Sequence, residues 1–281
     1  MVHITAEIGI NHNSDVGLAK QMITAAQRAG ANAVKFQKKD PRRSTPEDQW
    51  DKPKHTPWGT TERYIDYKIE MEFGQEECDE LWEHARSLGI DLFWSVWDIP
   101  SLDFILRYDA PFIKIPSSKL TDEMLLFEAG ASSRSLILST GMSTLEEVEI
   151  AVSISNPEVV MHSVSTYPCP VDELNLNALR TLQEAFPHLA LGYSGHETGL
   201  ATTVAAVAMG ATFVERHFTL DRSLPGTDQS ASVEPEGFRR MVKDIRNVEL
   251  ALGDGVKRVM PSEEEAIIRL RGRSDLPISS R

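Results

Sequence analysis

Cysteine is scarce in this chain, and basic residues are outnumbered by acidic ones. The two cysteines, Cys78 and Cys169, have no paired spacing, which argues against a secreted disulfide scaffold and favours a reducing compartment. With 29 Lys and Arg against 42 Asp and Glu, the formal net charge is −13. A chain this acidic is not expected to have nucleic acid or an anionic membrane as its main partner.

Long hydrophobic runs are also missing. No apolar run reaches the ~18 residues of a membrane-spanning helix. The first residues, MVHITAEIGINH, lack the basic region and long apolar region of a signal peptide. These absences predict a soluble, cytoplasmic protein. Hydrophobic residues make up 41% of the 281 residues, which is enough for a sizeable core.

A repeating strand–helix pattern is what the chain does contain. Short β-branched runs alternate with longer helical patterns, and three joints (RAGANAVKF, SLGIDLFWS and AMGATFVER) place a glycine between a helix and the next strand. The predicted strands are His3–Ile8, Ala33–Gln37, Asp91–Val96, Phe112–Ile115, Leu136–Ser139, Val159–Ser163, Ala190–Tyr193 and Thr212–Glu215.

Eight such units predict an α/β fold, a single-domain (β/α)8 TIM barrel over residues 1–260, with a doubly wound open sheet as the alternative. A long loop, 38–75, follows the second strand, and its aromatic residues are expected to form either a lid or a packed surface excursion. Residues 261–281 are predicted to be a C-terminal helix and tail. The helix is expected to begin with a Ser262–Glu265 capping box and to pack below the barrel.

Polar side chains follow the apolar part of nearly every predicted strand. In a parallel barrel the carboxyl ends of the strands open on one face, which carries the chemistry. Lys35 and Lys114 come from separate strands toward this face, and hydroxyl residues surround them. A buried lysine is costly unless a carboxylate or another anion meets it. The pattern predicts a phosphate or carboxylate site; the alternative is a purely structural pairing of these lysines with Glu7 and Glu215.

Two histidines end the last two strands of the pattern. His196 follows GYSG and His217 ends FVERH, so adjacent strands would make the two rings neighbours. Two neutral imidazoles can hold a divalent metal and leave positions open for water or substrate, as in a Lewis-acid site. The pair therefore predicts a metal site, and ordinary hydrogen-bonded barrel histidines are the alternative.

Several segments, in their order along the chain, resemble the sialic acid synthase family of phosphoenolpyruvate-dependent condensing enzymes. They are AEIGINHN, AVKFQ, KIPSS, ILSTGMST, TYPCP with ELNLNAL, GYSGHETG and VERHFTLDRSLPGTDQSAS, within about residues 3–253. The resemblance implies a metal-dependent condensation. The enol carbon of phosphoenolpyruvate attacks the aldehyde of an N-acetylmannosamine-like sugar, water adds at C2, and phosphate leaves. The product is a sialic acid or a related nonulosonic acid.

The resemblance also implies roles for individual residues. Phosphoenolpyruvate would bind Lys35, Lys114, Ser117, Ser139, Ser165 and Ser194. The amino sugar would face Glu7, Gln37, Tyr167 and Asp228. His196 and His217 would hold a divalent metal, expected to be Mn²⁺ with Mg²⁺ or Co²⁺ as alternatives. Glu7, Glu215 and His217 would be the catalytic residues.

Three segments depart from the family pattern. At the end of the third strand, Ser95-Val96-Trp97 replaces Ser-Thr-Pro, so one phosphate-side hydroxyl is expected to be missing. Ser165 stands where the family usually has Asn, and Ser117-Ser118-Lys119 replaces Ser-Gly-Glu.

The C-terminal antifreeze-like domain of the family is also expected to be absent. In the family this domain supplies an arginine to the sugar site of the partner subunit. A homodimer, a separate cap-supplying chain, or loop 38–75 with Arg42 and Arg43 is therefore expected to cover the sugar. Two alternative functions stay open: a related synthase with a different sugar acceptor, and a non-catalytic barrel that binds phosphoenolpyruvate or sugar.

Overall fold

A closed barrel of eight parallel strands forms the centre of the molecule in a computed structural model that describes residues 1–272. The barrel strands are β1 (His3–Gly9), β2 (Ala33–Lys38), β5 (Asp91–Val96), β6 (Phe112–Ile115), β7 (Ser135–Ser139), β8 (Val159–Ser163), β9 (Ala190–Gly195) and β10 (Phe213–His217), and the short strands β3 (Pro53–His55) and β4 (Thr61–Arg63) lie outside the barrel. The barrel closes because β1 pairs with both β2 and β10, which rules out the open-sheet alternative. The predicted TIM barrel is confirmed.

Helices surround the barrel and lie between its strands. They are α1 (Val16–Arg28), α2 (Pro41–Ser44), α3 (Tyr64–Glu70), α4 (Gln75–Ser87), α5 (Ile99–Ile105), α6 (Glu123–Ala131), α7 (Leu145–Ser155), α8 (Ala178–Ala185), α9 (Ala201–Ala208), α10 (Pro235–Leu252) and α11 (Glu264–Arg271). None of the helices within residues 1–272 has the length and hydrophobicity needed to span a bilayer.

Local signals in the sequence set where several helices begin and end. The Asp15 side chain accepts a hydrogen bond from the Leu18 N–H at 3.0 Å and caps α1. A Thr144–Glu147 capping box begins α7. The glycines of the three helix–strand joints (Gly30, Gly89 and Gly210) all have positive φ, so the chain turns from helix to strand without steric cost.

The barrel interior is apolar at one end and polar at the other. Where the strands begin, the His3 ring stacks on Phe213 with centroids 5.2 Å apart, and Phe112 meets Phe213 edge-on at 5.7 Å. Side chains alternate across a strand, so Glu215 and His217 follow Phe213 into the interior, toward the other end. Aromatic side chains thus fill the amino-terminal end of the barrel interior, and charged side chains lie at the carboxyl-terminal end.

The segment between β2 and α4 folds into a small unit of its own. It contains α2, a 3₁₀ turn (Glu47–Gln49), an antiparallel hairpin of β3 (Pro53–His55) and β4 (Thr61–Arg63), and α3. Ile65 and Tyr67 are fully buried, and Tyr67 contacts Trp58 and Tyr64 at ring-centroid distances of 5.9 and 6.3 Å. The segment is therefore a packed excursion with its own core.

The C-terminal arm differs from its prediction in two respects. The helix α11 begins at Glu264 after a 3₁₀ turn, and Glu263 caps the Met260 N–H at 2.8 Å, so the predicted Ser262–Glu265 box is wrong. No side chain of α11 is buried, so it does not pack below the barrel. The preceding Gly253 and Gly255 both have positive φ, and the chain around them is exposed. The predicted tail from residue 273 lies outside the described residues, and the predicted absence of a further domain stays a prediction.

Helices α6 and α7 pack closely because residue 130 has no side chain. A Cβ on Gly130 would lie 2.6 Å from the Ser155 carbonyl oxygen and 2.9 Å from its Cα. Both atoms are backbone and cannot rotate away, so Gly130→Ala must separate the two helices. We expect a loss of about 1–3 kcal/mol of unfolding free energy, measured by urea denaturation. Glu128→Ala on the exposed face of the same helix is the control; equal stability of the two variants would contradict this packing argument.

Candidate active site

A cavity of about 270 Å³ opens at the carboxyl ends of the barrel strands. Its lining comes from seven of the eight barrel strands and from the loops that follow the strands, and β8 contributes through its loop alone, as the parallel topology allows. Every predicted site residue except Asp228 lines it: Glu7, Lys35, Gln37, Lys114, Ser117, Ser139, Ser165, Tyr167, Ser194, His196, Glu215 and His217. Side chains that are far apart in sequence thus meet in one place.

Four charged side chains form the floor of this cavity. Lys35 Nζ lies 2.8 Å from Glu7 Oε2 and 3.6 Å from Glu215 Oε1, and Lys114 Nζ lies 2.8 Å from the same Glu215 oxygen. None of the four residues is more than 4% exposed. The structural pairing of lysines with carboxylates is therefore present, and it leaves the cluster with no net charge.

Burial and pairing compete in setting the charge states of this cluster. Burial by itself raises the pKa of Glu215, but Lys114 and Lys35 outweigh it and lower that pKa to about 2. Burial lowers the pKa of Lys35, but its two carboxylate neighbours outweigh this effect and the pKa is raised. The pKa of Lys114 is lowered by burial, which its single contacting carboxylate does not offset. Glu215 thus keeps its charge because the two lysines stay beside it.

Hydroxyl groups surround the two lysines. Ser139 and Ser194 are buried, and the Ser194 hydroxyl lies 3.3 Å from Glu215 Oε1. The Ser117 oxygen accepts a hydrogen bond from the Gly141 N–H at 3.0 Å, which leaves its own hydrogen free to donate. The Ser165 hydroxyl is buried and has no hydrogen-bond partner within residues 1–272. Lysines with free hydroxyl donors are a suitable environment for a phosphate or carboxylate.

The two histidines are neighbours, with ring centroids 5.5 Å apart. His196 Nδ1 donates to the Val164 carbonyl at 2.6 Å, so Nε2 carries the lone pair of the neutral ring. Burial, reinforced by His217, lowers the pKa of His196 to about 3. His217 Nδ1 is buried without a hydrogen-bond partner in the described part of the chain, and Asp228 Oδ2 lies 3.8 Å away, too far for a hydrogen bond.

The donor set at these histidines fits a metal ion only if other ligands are supplied. Across residues 1–272, no group of three or more His, Cys, Asp or Glu side chains is arranged to hold a metal. An oriented, neutral His196 beside an orphaned His217 nitrogen nevertheless provides two imidazole ligands at the cavity. The residues therefore fit an open site, in which substrate and water oxygens complete the coordination.

The predicted sugar-facing residues lie on one side of the cavity. Gln37 Nε2 donates to Glu7 Oε1 at 3.1 Å. The Tyr167 ring stands 4.1 Å from the His196 ring and is 46% exposed, so it forms the rim. Burial and nearby acidic groups raise the pKa of Tyr167, which keeps its phenol protonated. Asp228 is outside the lining but lies beside His217, on the same side.

Several cavity residues were not among the predicted ligands. The Ser95 hydroxyl accepts a hydrogen bond from Lys35 Nζ at 3.3 Å and lines the cavity, as the alternation of β5 indicates. Val96, which stands where the family has Thr, is buried outside the lining, so the loss of that hydroxyl stays a prediction. Trp97, Ser118 and Met142 line the cavity from loops, which no periodicity in the sequence predicts. Lys119 lies outside it and faces Asp122 at 3.7 Å.

The chain is similar to known proteins in both sequence and fold. Residues 22–257 match the model of the NeuB family. The chain belongs to the NeuB family. It is 37% identical to the N,N'-diacetyllegionaminic acid synthase of Legionella pneumophila, over 98% of this chain and 79% of that protein. It is also 37% identical to the human N-acetylneuraminate-9-phosphate synthase, over 92% of this chain and 74% of that protein. The crystal structure of the N-acetylneuraminic acid synthetase of Leptospira borgpetersenii, in complex with citrate, superposes with a TM-score of 0.86 at 33% identity, covering 97% and 93% of the two chains.

Gly141 keeps space open for the hydroxyls of the anion side. A Cβ at this position would lie 2.2 Å from the Ser165 oxygen and 2.8 Å from the Ser117 oxygen. Gly141→Ala should push both hydroxyls aside and weaken phosphoenolpyruvate binding about tenfold, the scale of one charge-assisted hydrogen bond. Isothermal titration calorimetry with phosphoenolpyruvate measures this affinity, and Gly237→Ala in α10 is the matched control. Unchanged affinity in a normally folded Gly141→Ala protein would rule out this role.

Proposed function

We propose that this chain condenses phosphoenolpyruvate with an N-acetylmannosamine-like amino sugar to give a nonulosonic acid and inorganic phosphate. The observation that carries the proposal is the buried Lys35–Lys114 pair, ringed by serines, below two neighbouring histidines in one barrel mouth. The named relatives make nonulosonic acids, and the chain matches them over most of its length. No observation favours a barrel that only binds these ligands.

The anion occupies the lysine and serine side of the cavity in this proposal. Lys35 and Lys114 meet its phosphate and carboxylate, and the hydroxyls that donate to it are those of Ser117, Ser139, Ser165 and Ser194. The free cluster is neutral, because two carboxylates already balance the two lysines. The charge of bound phosphoenolpyruvate therefore needs a further cation, and a divalent metal at the histidines supplies it.

The acceptor sugar lies across the opposite side, with its aldehyde toward the histidines. Glu7, Gln37, Tyr167 and Asp228 face its hydroxyl and amide groups. His196 and His217 would hold Mn²⁺, which when bound polarises the aldehyde oxygen as a Lewis acid. The choice of Mn²⁺ over Mg²⁺ or Co²⁺ rests on the family resemblance.

Glu7 and Glu215, which both contact Lys35, would exchange protons with the reactants. C3 of phosphoenolpyruvate bonds to the aldehyde carbon as the aldehyde C=O π bond breaks, and a water oxygen bonds to C2. Glu215 takes one proton from that water, and one proton is delivered to the new alkoxide on the Glu7 side. The C2–O bond to phosphate then breaks and the proton of the C2 hydroxyl leaves with the phosphate, so both protons of the water are accounted for. One water is consumed and one phosphate is released. His217 acts by holding the cation beside these carbons.

Two further expectations belong to the proposal. A second copy of this chain, or a separate chain, would cap the sugar side, where the Tyr167 rim is half exposed. The cytoplasm would be the compartment, as the low cysteine content favours.

Turnover should require both substrates at once. Purified protein with Mn²⁺, phosphoenolpyruvate and a panel of N-acetyl hexosamines should release phosphate only when an acceptor is present. The released phosphate and the new acid should appear in equal amounts, measured by a phosphate assay and mass spectrometry. Phosphoenolpyruvate binding without release, whatever the acceptor, would instead indicate a binding protein.

Activity should depend on a metal held by the histidines. A chelator should abolish phosphate release and Mn²⁺ should restore it. His217→Ala should lose Mn²⁺ binding in titration calorimetry and at least about 100-fold in kcat. His188→Ala, an exposed histidine outside the cavity, is the control. Full activity of the wild-type protein in chelator would refute the Lewis-acid role.

A further inference from the structure

A second, basic groove of about 540 Å³ lies beside the active-site cavity. Trp97 lines both of them, so the two spaces share a wall. The groove is built mainly by the excursion after β2. The lining groups that matter are Lys39, Lys52, Lys68, Ser44, Tyr64 and Trp97.

The lysines of this groove have no acidic partner of their own. Within residues 1–272, no carboxylate lies within 4.0 Å of the amino groups of Lys39, Lys52 or Lys68. The nearby Glu72 instead pairs with Lys38 at 3.6 Å. Lys39 is only 6% exposed, and burial, reinforced by Lys68, lowers its pKa to about 8. Buried, unpaired positive charge in a chain of net charge −13 indicates a site for an anion.

Direct contacts link the groove to the sugar side of the active site. Lys39 Nζ donates to Gln37 Oε1 at 3.2 Å, and Gln37 in turn donates to Glu7. The negative charge of Asp228 reaches both Lys39 and Lys68 and opposes the lowering of their pKa values. The groove thus adjoins the sugar side of the cavity.

A buried donor at the shared wall also lacks an acceptor. Trp97 Nε1 is buried and has no hydrogen-bond partner in the described part of the chain. Lys39 Nζ lies 4.8 Å from the Trp97 ring. An unsatisfied N–H beside an unpaired ammonium is the arrangement that an oxygen-rich anion would complete.

We infer that the groove binds a phosphate on the terminal carbon of the acceptor, so that the substrate is a phosphorylated amino sugar. This inference rests on the proposed function. An open-chain aldose has its reacting carbon at one end, so a phosphate at the other end lies farthest from the histidines. The acceptor phosphate makes no bond and breaks none during the reaction, and the product retains it.

Sequence identity does not choose between the two acceptor classes. Relatives named for a phosphorylated product and for an unphosphorylated one are both 37% identical to this chain. The unpaired lysines of the groove are the feature that favours the phosphorylated sugar.

The test compares N-acetylmannosamine with its 6-phosphate in the Mn²⁺-activated wild-type protein. The phosphorylated sugar should give the higher kcat/KM, and mass spectrometry should show a product that keeps the phosphate. Lys68→Met should raise KM for the 6-phosphate about tenfold, the scale of one charge-assisted hydrogen bond, and leave KM for phosphoenolpyruvate unchanged. Lys68→Arg, which retains the charge, should restore most of the loss.

Controls separate this role from a structural one. Lys68 lies over the Tyr64 ring at 5.2 Å and is partly exposed, so its replacement should be compatible with folding, and equal Tm values would confirm this. Lys243→Met, an exposed lysine of α10, should behave as wild type. Lys39→Met should also raise KM for the 6-phosphate.

Two outcomes overturn the inference in distinguishable ways. If the unphosphorylated sugar is turned over as well as the 6-phosphate, and Lys68→Met changes neither, the groove has no role in acceptor binding and the proposed function stands. If neither sugar, nor any other N-acetyl hexosamine, supports phosphate release, the proposed function itself fails and the inference fails with it.

Discussion

Two lysines and two glutamates share the floor of the barrel mouth, and the rest of the site depends on how they hold one another. Buried charges of this kind are stable only when paired, so the Lys35–Glu7 and Lys114–Glu215 contacts fix the positions of all four side chains before any ligand arrives. A neutral cluster can then accept an anion together with a divalent cation without a large change in net charge. The pairing that holds the floor together is thus compatible with a catalytic role.

Aromatic side chains close the amino-terminal end of the barrel, below the charged floor of the cavity. His3, Phe112 and Phe213 occupy the first inward position of their strands, and the charged residues occupy later ones. This arrangement places the buried charges at the open end of the barrel, where bound substrates can also pair with them. Closely packed glycines complete the arrangement: Gly130 lets two outer helices touch, and Gly141 leaves room for two hydroxyls of the anion side.

The excursion after β2 adds a feature that the barrel alone does not have. Its own aromatic core, centred on Tyr67, holds Lys39 and Lys68 beside the sugar side of the cavity. Charge that is unpaired in a folded, buried position is costly, and the neighbouring Trp97 N–H is unsatisfied as well. A groove of this kind can distinguish acceptor sugars by the group on the carbon farthest from the aldehyde, while the chemistry at the histidines stays the same.

The sequence by itself determined the barrel, its strand positions to within about two residues, and the strand-end side chains of the cavity, because strand alternation and parallel topology place strand-end residues on one face. It also predicted the histidine pair from the adjacency of the last two strands. Only the tertiary structure decided that α11 does not pack on the barrel, and that Lys39, Lys68 and Trp97 line one groove. These features depend on loop paths and on contacts between distant segments. Such contacts have no period along the chain, so no local pattern in the sequence encodes them.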